Sequence, residues 1–241
     1  MPRQTRFPGT GIPQLIRQRG HNGARICVTG RDFLALYGHL LEASVETESV
    51  IHAYAVLPHG LYLLATPQRK GGVSKMMQAV GRQYVPWFNA EHDRSGALWE
   101  GRYRACLVEP SIQVLDCYRY VEQHGDNRHS QADVCGYRWS SGRAHLDGQN
   151  DTLIDDHTAY LELGRTPVER QEAYRRLCAE PLCERVLTDI GQSLASCLAY
   201  ATDTFKDEIE RTWDYQVRPG KPGRPRSRPG AGGGDAAPPP A

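Results

Sequence analysis

The sequence predicts an α+β protein built on an antiparallel sheet of four or five strands, with helices on one or both faces. Residues 49–57 and 61–66 are rich in Val, Ile, Leu and Tyr, which is typical of strands. Weaker strand patterns occur at 12–19 and 103–108. Helical patterns lie between the first strand and this adjoining pair of strands, and between the pair and the last strand.

Three segments of the first half have the apolar spacing of amphipathic helices. In residues 31–44 the apolar side chains recur every three to four positions, so one face is expected to pack on the sheet. Residues 73–89 form the second helix, with Ser74 as a candidate N-cap and Pro86 as a residue that kinks or ends it. The third helix is predicted at 112–124.

The last third of the chain is predicted to form a small helical appendage followed by a tail. Thr166-Pro-Val-Glu169 combines a capping threonine, a proline at the first helical position and a glutamate at the third. Further helices are predicted at about 182–198 and 203–214. From Gln216 onward the Pro- and Gly-rich composition predicts disorder. We therefore divide the chain into residues 1–146, 147–215 and 216–241.

Composition places few limits on function. No apolar run approaches the ~20 residues of a membrane span, and the N-terminal residues lack the apolar core of a secretory signal, so we expect a cytoplasmic protein with no membrane partner. The 7 cysteines include no Cys-x-x-Cys pair. Scattered thiols in odd number fit a reducing compartment better than a disulfide framework or a zinc knuckle.

The formal net charge of +1 conceals an uneven distribution. Residues 1–130 carry 15 Lys and Arg against 11 Asp and Glu, whereas residues 131–215 carry 9 against 16. Residues 216–241 are again basic, with 5 against 1. A basic front and tail around an acidic middle suit a nucleic-acid partner, although ordinary variation on solvated faces is the simpler alternative.

Several motifs follow one another along the first 146 residues in a recognisable order. They are His52-Ala-Tyr-Ala-Val-Leu-Pro58, Gly81-Arg-Gln-Tyr84, Phe88-Asn89, Arg94-Ser-Gly-Ala-Leu-Trp-Glu-Gly-Arg-Tyr-Arg104, Cys117-Tyr-Arg-Tyr-Val-Glu122 and Tyr137-Arg-Trp-Ser-Ser141. On these motifs the chain resembles the REP-associated tyrosine transposases, which are single-tyrosine HUH transposases. The resemblance implies a ferredoxin-like core and a DNA-nicking activity on single-stranded or hairpin DNA, supported by a divalent metal such as Mg²⁺ or Mn²⁺.

One departure from the family pattern concerns the metal. The two histidines that hold the metal in the family fall on Gly60 and Tyr62 of this chain. Glycine has no side chain, and a neutral tyrosine is a poor ligand for a hard divalent cation. The histidine pair that gives the HUH transposases their name is therefore absent.

The resemblance places the remaining chemistry on the third helix. The nucleophile that attacks a DNA phosphate falls on Tyr120, whereas Tyr118 lies two residues away and faces elsewhere. The third metal ligand falls on His124, one helical turn beyond Tyr120. His59 lies one residue before the family position, so only a bulge at Gly60 turns it toward the site. The simpler interpretations are a core tyrosine and surface histidines.

Basic residues supply the candidate DNA contacts. They are Arg17, Arg19, Arg25, Lys75, Arg82, Arg102, Arg104, Arg224 and Arg226. Arg102 and Arg104 are expected to project from the same face of one strand. The aromatic residues that accompany Arg82 on its helix are expected to be core. In the tail, Gly223-Arg-Pro-Arg226 looks like a fragment of an AT-hook, and a non-specific phosphate tether is the plainer role.

Two functions of different classes remain open at this point. The first is a metal-dependent DNA-nicking enzyme with Tyr120 as its nucleophile. The second is a DNA-binding protein that keeps the fold and the basic surface but has lost catalysis with the histidines. The sequence leaves monomer and homodimer undecided, and it does not identify the DNA sequence recognised.

Overall fold

The computed structural model describes residues 5–124 and 137–219 and has an α+β fold, as predicted. The strands are β1 (Gln14–Arg19), β2 (Ser49–Leu57), β3 (Gly60–Pro67), β4 (Arg104–Val108) and β5 (Ala199–Tyr200). The helices of this part are α1 (Gly30–Glu46), α2 (Gly72–Glu91), α3 (Ile112–His124), α4 (Gly142–Asp147), α5 (Thr158–Leu161), α6 (Pro167–Ala179), α7 (Glu184–Ser196) and α8 (Asp203–Trp213). None of these helices is both long and apolar enough to cross a membrane.

The strands form one five-stranded sheet in the order β2-β3-β1-β4-β5. The first four strands pair antiparallel, whereas β5 pairs parallel to β4. The predicted antiparallel sheet is therefore confirmed for β1 to β4, and the short fifth strand makes the sheet mixed. The β1-α1-β2-β3-α2-β4 order with two central antiparallel strands is the ferredoxin-like arrangement that the motifs implied.

The two faces of the sheet are covered by different helices. Along β3, Leu61, Leu63 and Ala65 belong to the core shared with α1 and α2. The alternate residues Tyr62 and Leu64 belong to the core shared with α3 and the C-terminal helices. Every residue of β3 is buried, because this strand lies near the centre of a sheet that is covered on both sides.

Helix α2 differs from its prediction at both ends. It begins at Gly72, and its N-cap is Gly71 in the left-handed conformation at φ 70°, so the prediction of Ser74 as N-cap is wrong. Helix α2 also continues past Pro86 to Glu91. Pro86 and Arg82 are both exposed, so water can satisfy the carbonyl that the proline leaves without an amide donor.

The motif Tyr137-Arg-Trp-Ser-Ser141 covers the outer edge of β2. The amide of Val56 donates to the Trp139 carbonyl at 2.8 Å, and the Ser141 amide donates to the Tyr54 carbonyl at 3.0 Å. The Tyr137 hydroxyl donates to the Val56 carbonyl at 2.7 Å. An uncovered edge strand offers unpaired backbone groups to other chains, so this segment closes one side of the sheet.

The C-terminal helices share the core beneath α3. Tyr160 of α5, Tyr174 of α6 and Ile190 of α7 are buried there together with Tyr118 of α3. The predicted capping box at the start of α6 is present, with Thr166 and Glu169 each accepting a backbone hydrogen bond. The division of the chain at residues 146 and 215 stays a prediction, since packing alone does not establish which part folds independently.

A buried carboxylate joins α3 to these neighbouring elements. Glu122 accepts hydrogen bonds from the Ser141 hydroxyl at 2.5 Å, from His145 Nδ1 at 2.6 Å and from the Tyr174 hydroxyl at 2.7 Å. The other ring nitrogen of His145 lies 3.3 Å from an oxygen of Asp156. A buried charge without partners costs several kcal/mol, so these contacts fix the rotation of α3 against the C-terminal half.

This network predicts a pH-dependent stability. Burial alone would lower the pKa of His145, but the Glu122 and Asp156 carboxylates outweigh it and raise that pKa to about 9. The unfolded value is about 6.5, so the charged histidine stabilises the fold fully below that pH. The contribution is then lost as pH rises toward 9. We expect the free energy of unfolding to fall by up to about 1.4 kcal/mol per pH unit across this window.

Chemical denaturation at a series of pH values measures this slope. The double variant Glu122→Gln with His145→Gln keeps hydrogen-bonding groups at both positions but removes both charges. The native protein should lose more stability than this variant between neutral and mildly alkaline pH. Equal slopes for the two proteins would show that His145 is not charged in the folded state.

Candidate nucleic-acid interface around Tyr120

Helix α3 places its two tyrosines in different surroundings. Tyr118 is fully buried, and its hydroxyl accepts a hydrogen bond from the His157 amide at 3.0 Å. Tyr120 is half-buried at the margin of the same core. Two residues on a helix differ by about 200° in direction, so the two rings face different partners. Of the two tyrosines, Tyr120 is the one that reaches solvent.

Tyr120 contacts Tyr62, one of the two strand positions at which the resemblance predicted metal-binding histidines. Gly60 and Tyr62 are two residues apart on β3, so they lie on the same face of the sheet as Leu64, beneath α3. The rings of Tyr62 and Tyr120 meet edge to face, with 6.2 Å between their centres. Tyr62 is only 8% exposed. An aromatic contact therefore occupies the space between the strand and the helix.

The protonation of Tyr120 reflects these neighbours. Burial is the main cause that raises the pKa of its phenol, and Tyr62 adds to the rise, while the positive charge of Arg17 acts in the opposite direction. The resulting pKa is about 12. Tyr120 is thus a neutral phenol at neutral pH, able to donate a hydrogen bond to a phosphate oxygen.

Three arginines surround this pair of tyrosines. Arg17 of β1 stands opposite Tyr62 on β3 and opposite Arg104 on β4, and Arg19 stands opposite Gly60. Arg104 donates to the carbonyl of Ala195 at the end of α7. Within residues 5–124 and 137–219, none of the three arginines forms an ion pair with a carboxylate. Their charges remain available to an anionic partner.

The other basic residues predicted to bind DNA lie elsewhere. Arg25 is exposed near the turn between β2 and β3, and Lys75 and Arg82 are exposed on α2, on the opposite face of the sheet. Arg102 precedes β4 and lies against α2, whereas Arg104 lies on the α3 side. The expectation that these two share a face is therefore wrong, because β4 begins only at Arg104. Arg224 and Arg226 lie outside the described residues.

The side chains at the family's metal position do not fit a divalent cation. His59 is exposed in the turn before β3, and its Nδ1 donates to the Gly23 carbonyl at 2.8 Å. The pairing of β3 with β1 and β2 is regular at Gly60, so no bulge turns His59 toward Tyr120. The side chain of His124 lies outside the described part. Among the side chains that are described, no three His, Cys, Asp or Glu residues are grouped to hold a metal.

Sequence reasoning missed one basic residue that the fold brings to this end of the sheet. Arg6 is not among the basic residues predicted to contact DNA, yet its guanidinium lies over the Tyr103 ring, 4.0 Å from the ring centre. Its contact partner is almost a hundred residues distant in the sequence. The only local signal was the apolar Phe7-Pro8 pair that follows it.

Comparison with known proteins identifies the fold. The chain matches no family model and no curated protein. It is similar to a REP-associated tyrosine transposase bound to a REP hairpin, at 14% identity and a TM-score of 0.52, over 64% of this chain and 92% of that chain. It is also similar to a candidate transposase from Deinococcus radiodurans R1, at 18% identity and a TM-score of 0.34, over 45% of this chain and 87% of that chain. The first likeness shows a transposase-like fold, and the second is too distant to carry an argument.

The donor set at positions 60 and 62 leads to a prediction about metal binding. The native protein should bind no Mn²⁺ at this position, whereas Gly60→His with Tyr62→His should create a measurable site. A Cβ at position 60 would lie 3.0 Å from the Gln18 carbonyl, so β1 must shift slightly and the new site should be weak. Calorimetric titration with Mn²⁺ measures the difference.

The matched control is Gly60→Ala with Tyr62→Phe, which crowds β1 in the same way but supplies no ligand. It should behave as the native protein does. A Mn²⁺ site in the native protein that is lost on His59→Ala or His124→Ala would show that these histidines are ligands after all.

Proposed function

We propose that this protein is a transposase-like protein that binds single-stranded or hairpin DNA through the surface around Tyr120. The observation that carries the proposal is the grouping of Arg17, Arg19 and Arg104 beside a half-buried tyrosine, with no carboxylate paired to any of the three arginines in the described residues. Guanidinium groups suit phosphate oxygens in charge and geometry, and a phenol donates one further hydrogen bond.

The fold supports the same partner. The solved transposase that shares this fold is bound to a REP hairpin. In this chain the face that carries Tyr120 is basic at the strand ends, although the following residues 131–215 are acidic overall. An acidic C-terminal part repels DNA, so it would confine binding to the N-terminal surface. We take residues 1–146 as the DNA-binding module, and Arg224 and Arg226 as part of a tail that adds non-specific phosphate contacts.

Cleavage of the bound strand by Tyr120 is a second candidate function. The contact of Tyr120 with Tyr62 favours it, since the family resemblance places two metal ligands at positions 60 and 62. The raised pKa of Tyr120, the lack of a side chain at Gly60 and the neutral phenol of Tyr62 oppose metal-assisted attack. We therefore propose DNA binding as the activity of the native chain, without a cleavage step that depends on a metal at these positions.

Salt dependence of DNA binding tests the proposed surface. The affinity for a hairpin with single-stranded flanks should fall steeply with salt, because each phosphate contact releases counterions. Arg17→Gln and Arg19→Gln should each weaken binding and reduce the slope of log affinity against log salt by about one. Fluorescence anisotropy at a series of salt concentrations gives both quantities.

Arg165→Gln is the matched control. It removes the same charge from an exposed position in the acidic C-terminal part, before α6, and should leave the slope unchanged. A salt-independent affinity for hairpin DNA, or an equal effect of all three substitutions, would contradict the proposed interface.

A further inference from the structure

A cavity of about 400 Å³ opens between α2 and the segment that precedes β4. Trp99, Tyr103 and Met77 form its apolar walls, and Gln18 of β1 lies at its floor. Gln18 and Arg17 alternate along β1, so the cavity lies on the opposite face of the sheet from Tyr120. Its volume lies within the range of small-molecule sites. Such sites typically have apolar walls and a small number of polar groups that point inward.

The surroundings of the cavity are basic. Arg6 and Arg102 line it, and none of the residues that the structure places around it carries a carboxylate. Lys75 and Arg82 are exposed on the stripe of α2 next to Gln78, which also lines the cavity. Neither Lys75 nor Arg82 forms an ion pair within the described part of the chain. The charge around the opening therefore favours an anionic occupant.

The interior combines flat aromatic surface with hydrogen-bonding groups. Gln18 is 5% exposed, and its Nε2 donates to the Gly101 carbonyl at 3.1 Å, which holds its amide group against the cavity. The buried Nε of Arg6 has no partner in the described part of the chain. A nucleobase offers a π-face for an aromatic wall and a donor and acceptor edge for such groups.

The cavity lies beside the strand end that carries the proposed phosphate contacts. Trp99 pairs with Gly20, the residue after Arg19. The Glu100 amide donates to the Arg19 carbonyl at 2.9 Å. The backbones of Arg19 and Trp99 are thus separated by roughly one strand spacing of 5 Å. A DNA strand that passes from one face of the sheet to the other at this end can contact both.

We propose that this cavity binds one unpaired nucleobase of the DNA strand held at the Tyr120 surface, while Arg102, Lys75 and Arg82 contact its phosphates. The inference rests on the proposed DNA binding and adds a second, base-recognising site on the other face of the sheet. Stacking inside this cavity requires a base at one defined position of the DNA strand, whereas phosphate contacts alone do not require any particular base.

Abasic substitution tests the proposal. The probes are a DNA hairpin with single-stranded flanks and a series in which each flanking nucleotide in turn lacks its base. For the native protein, removal of one particular base should weaken binding roughly tenfold, and removal of the others should have little effect. Gly81→Leu fills the cavity, because a Cβ at position 81 would lie 3.7 Å from Trp99 Nε1 without a clash.

Gly81→Leu should bind the intact hairpin roughly tenfold more weakly than the native protein does, with no further loss at the critical abasic position. Leucine favours a helix interior over glycine, so the variant should remain folded by circular dichroism. Gly38→Leu is the matched control, since position 38 of α1 also lies in a helix with open space around it. It should keep the native affinity and the native abasic profile.

The outcomes separate this proposal from the one on which it rests. If the native protein binds the hairpin but no abasic position matters, or if Gly81→Leu keeps the native profile, the base-binding cavity is refuted and the Tyr120 interface stands. If the native protein binds no hairpin DNA, both proposals fail.

Discussion

The hydrogen bonds of the buried Glu122 carboxylate hold helix α3 in its orientation against the rest of the protein. It lies on α3, two residues after Tyr120, and accepts hydrogen bonds from Ser141, His145 and Tyr174. One charge thereby joins α3 to the segment that covers the edge of β2 and to the C-terminal helix α6. Because a buried carboxylate tolerates little loss of partners, α3 is held in one rotation about its axis. That rotation directs Tyr120 toward the sheet.

Around Tyr120, the arrangement of α3 on the sheet does not depend on which residues occupy positions 60 and 62, whereas metal binding does. The alternation of side chains along β3 places positions 60 and 62 on the sheet face that α3 covers, whatever residues occupy them. In this chain they are Gly60 and Tyr62, and the second of them packs its ring against Tyr120. The surrounding arginines still provide positive charge for a phosphate. The basic surface that the proposed DNA binding requires is therefore present even though the residues at positions 60 and 62 do not suit a divalent cation.

Local patterns were sufficient to predict most of the fold. The strand and helix patterns located β1 to β4, α1 to α3 and α6 to α8, and the capping box predicted the start of α6 at Pro167. The short elements α4, α5 and β5 were not predicted. The prediction that Arg102 and Arg104 share a face was wrong. Side chains alternate regularly between the two faces only within a strand, and β4 begins at Arg104. Ser74 failed as an N-cap because Gly71 supplies the turn three residues earlier.

Other features depend on residues that are distant in the sequence. The partners of Glu122 lie about 20 to 50 positions away, and nothing in the local sequence pairs them. The cavity beside Trp99 is built from Arg6, β1, α2 and the segment before β4, so it exists only once the chain has folded. The relation of Tyr120 to positions 60 and 62 was implied only by the family resemblance, because helix and strand periods determine which side chains of one element share a face but not which elements pack together.

We infer that Tyr120 packs where the resemblance places the catalytic tyrosine, while positions 60 and 62 supply no metal ligand. A covalent trapping assay with a labelled DNA hairpin and Mn²⁺ tests this inference. We predict no covalent protein–DNA product from the native chain. We predict a product from Gly60→His with Tyr62→His, and the loss of that product when Tyr120→Phe is added. A product from the native chain that disappears on Tyr120→Phe would show that the inference is wrong.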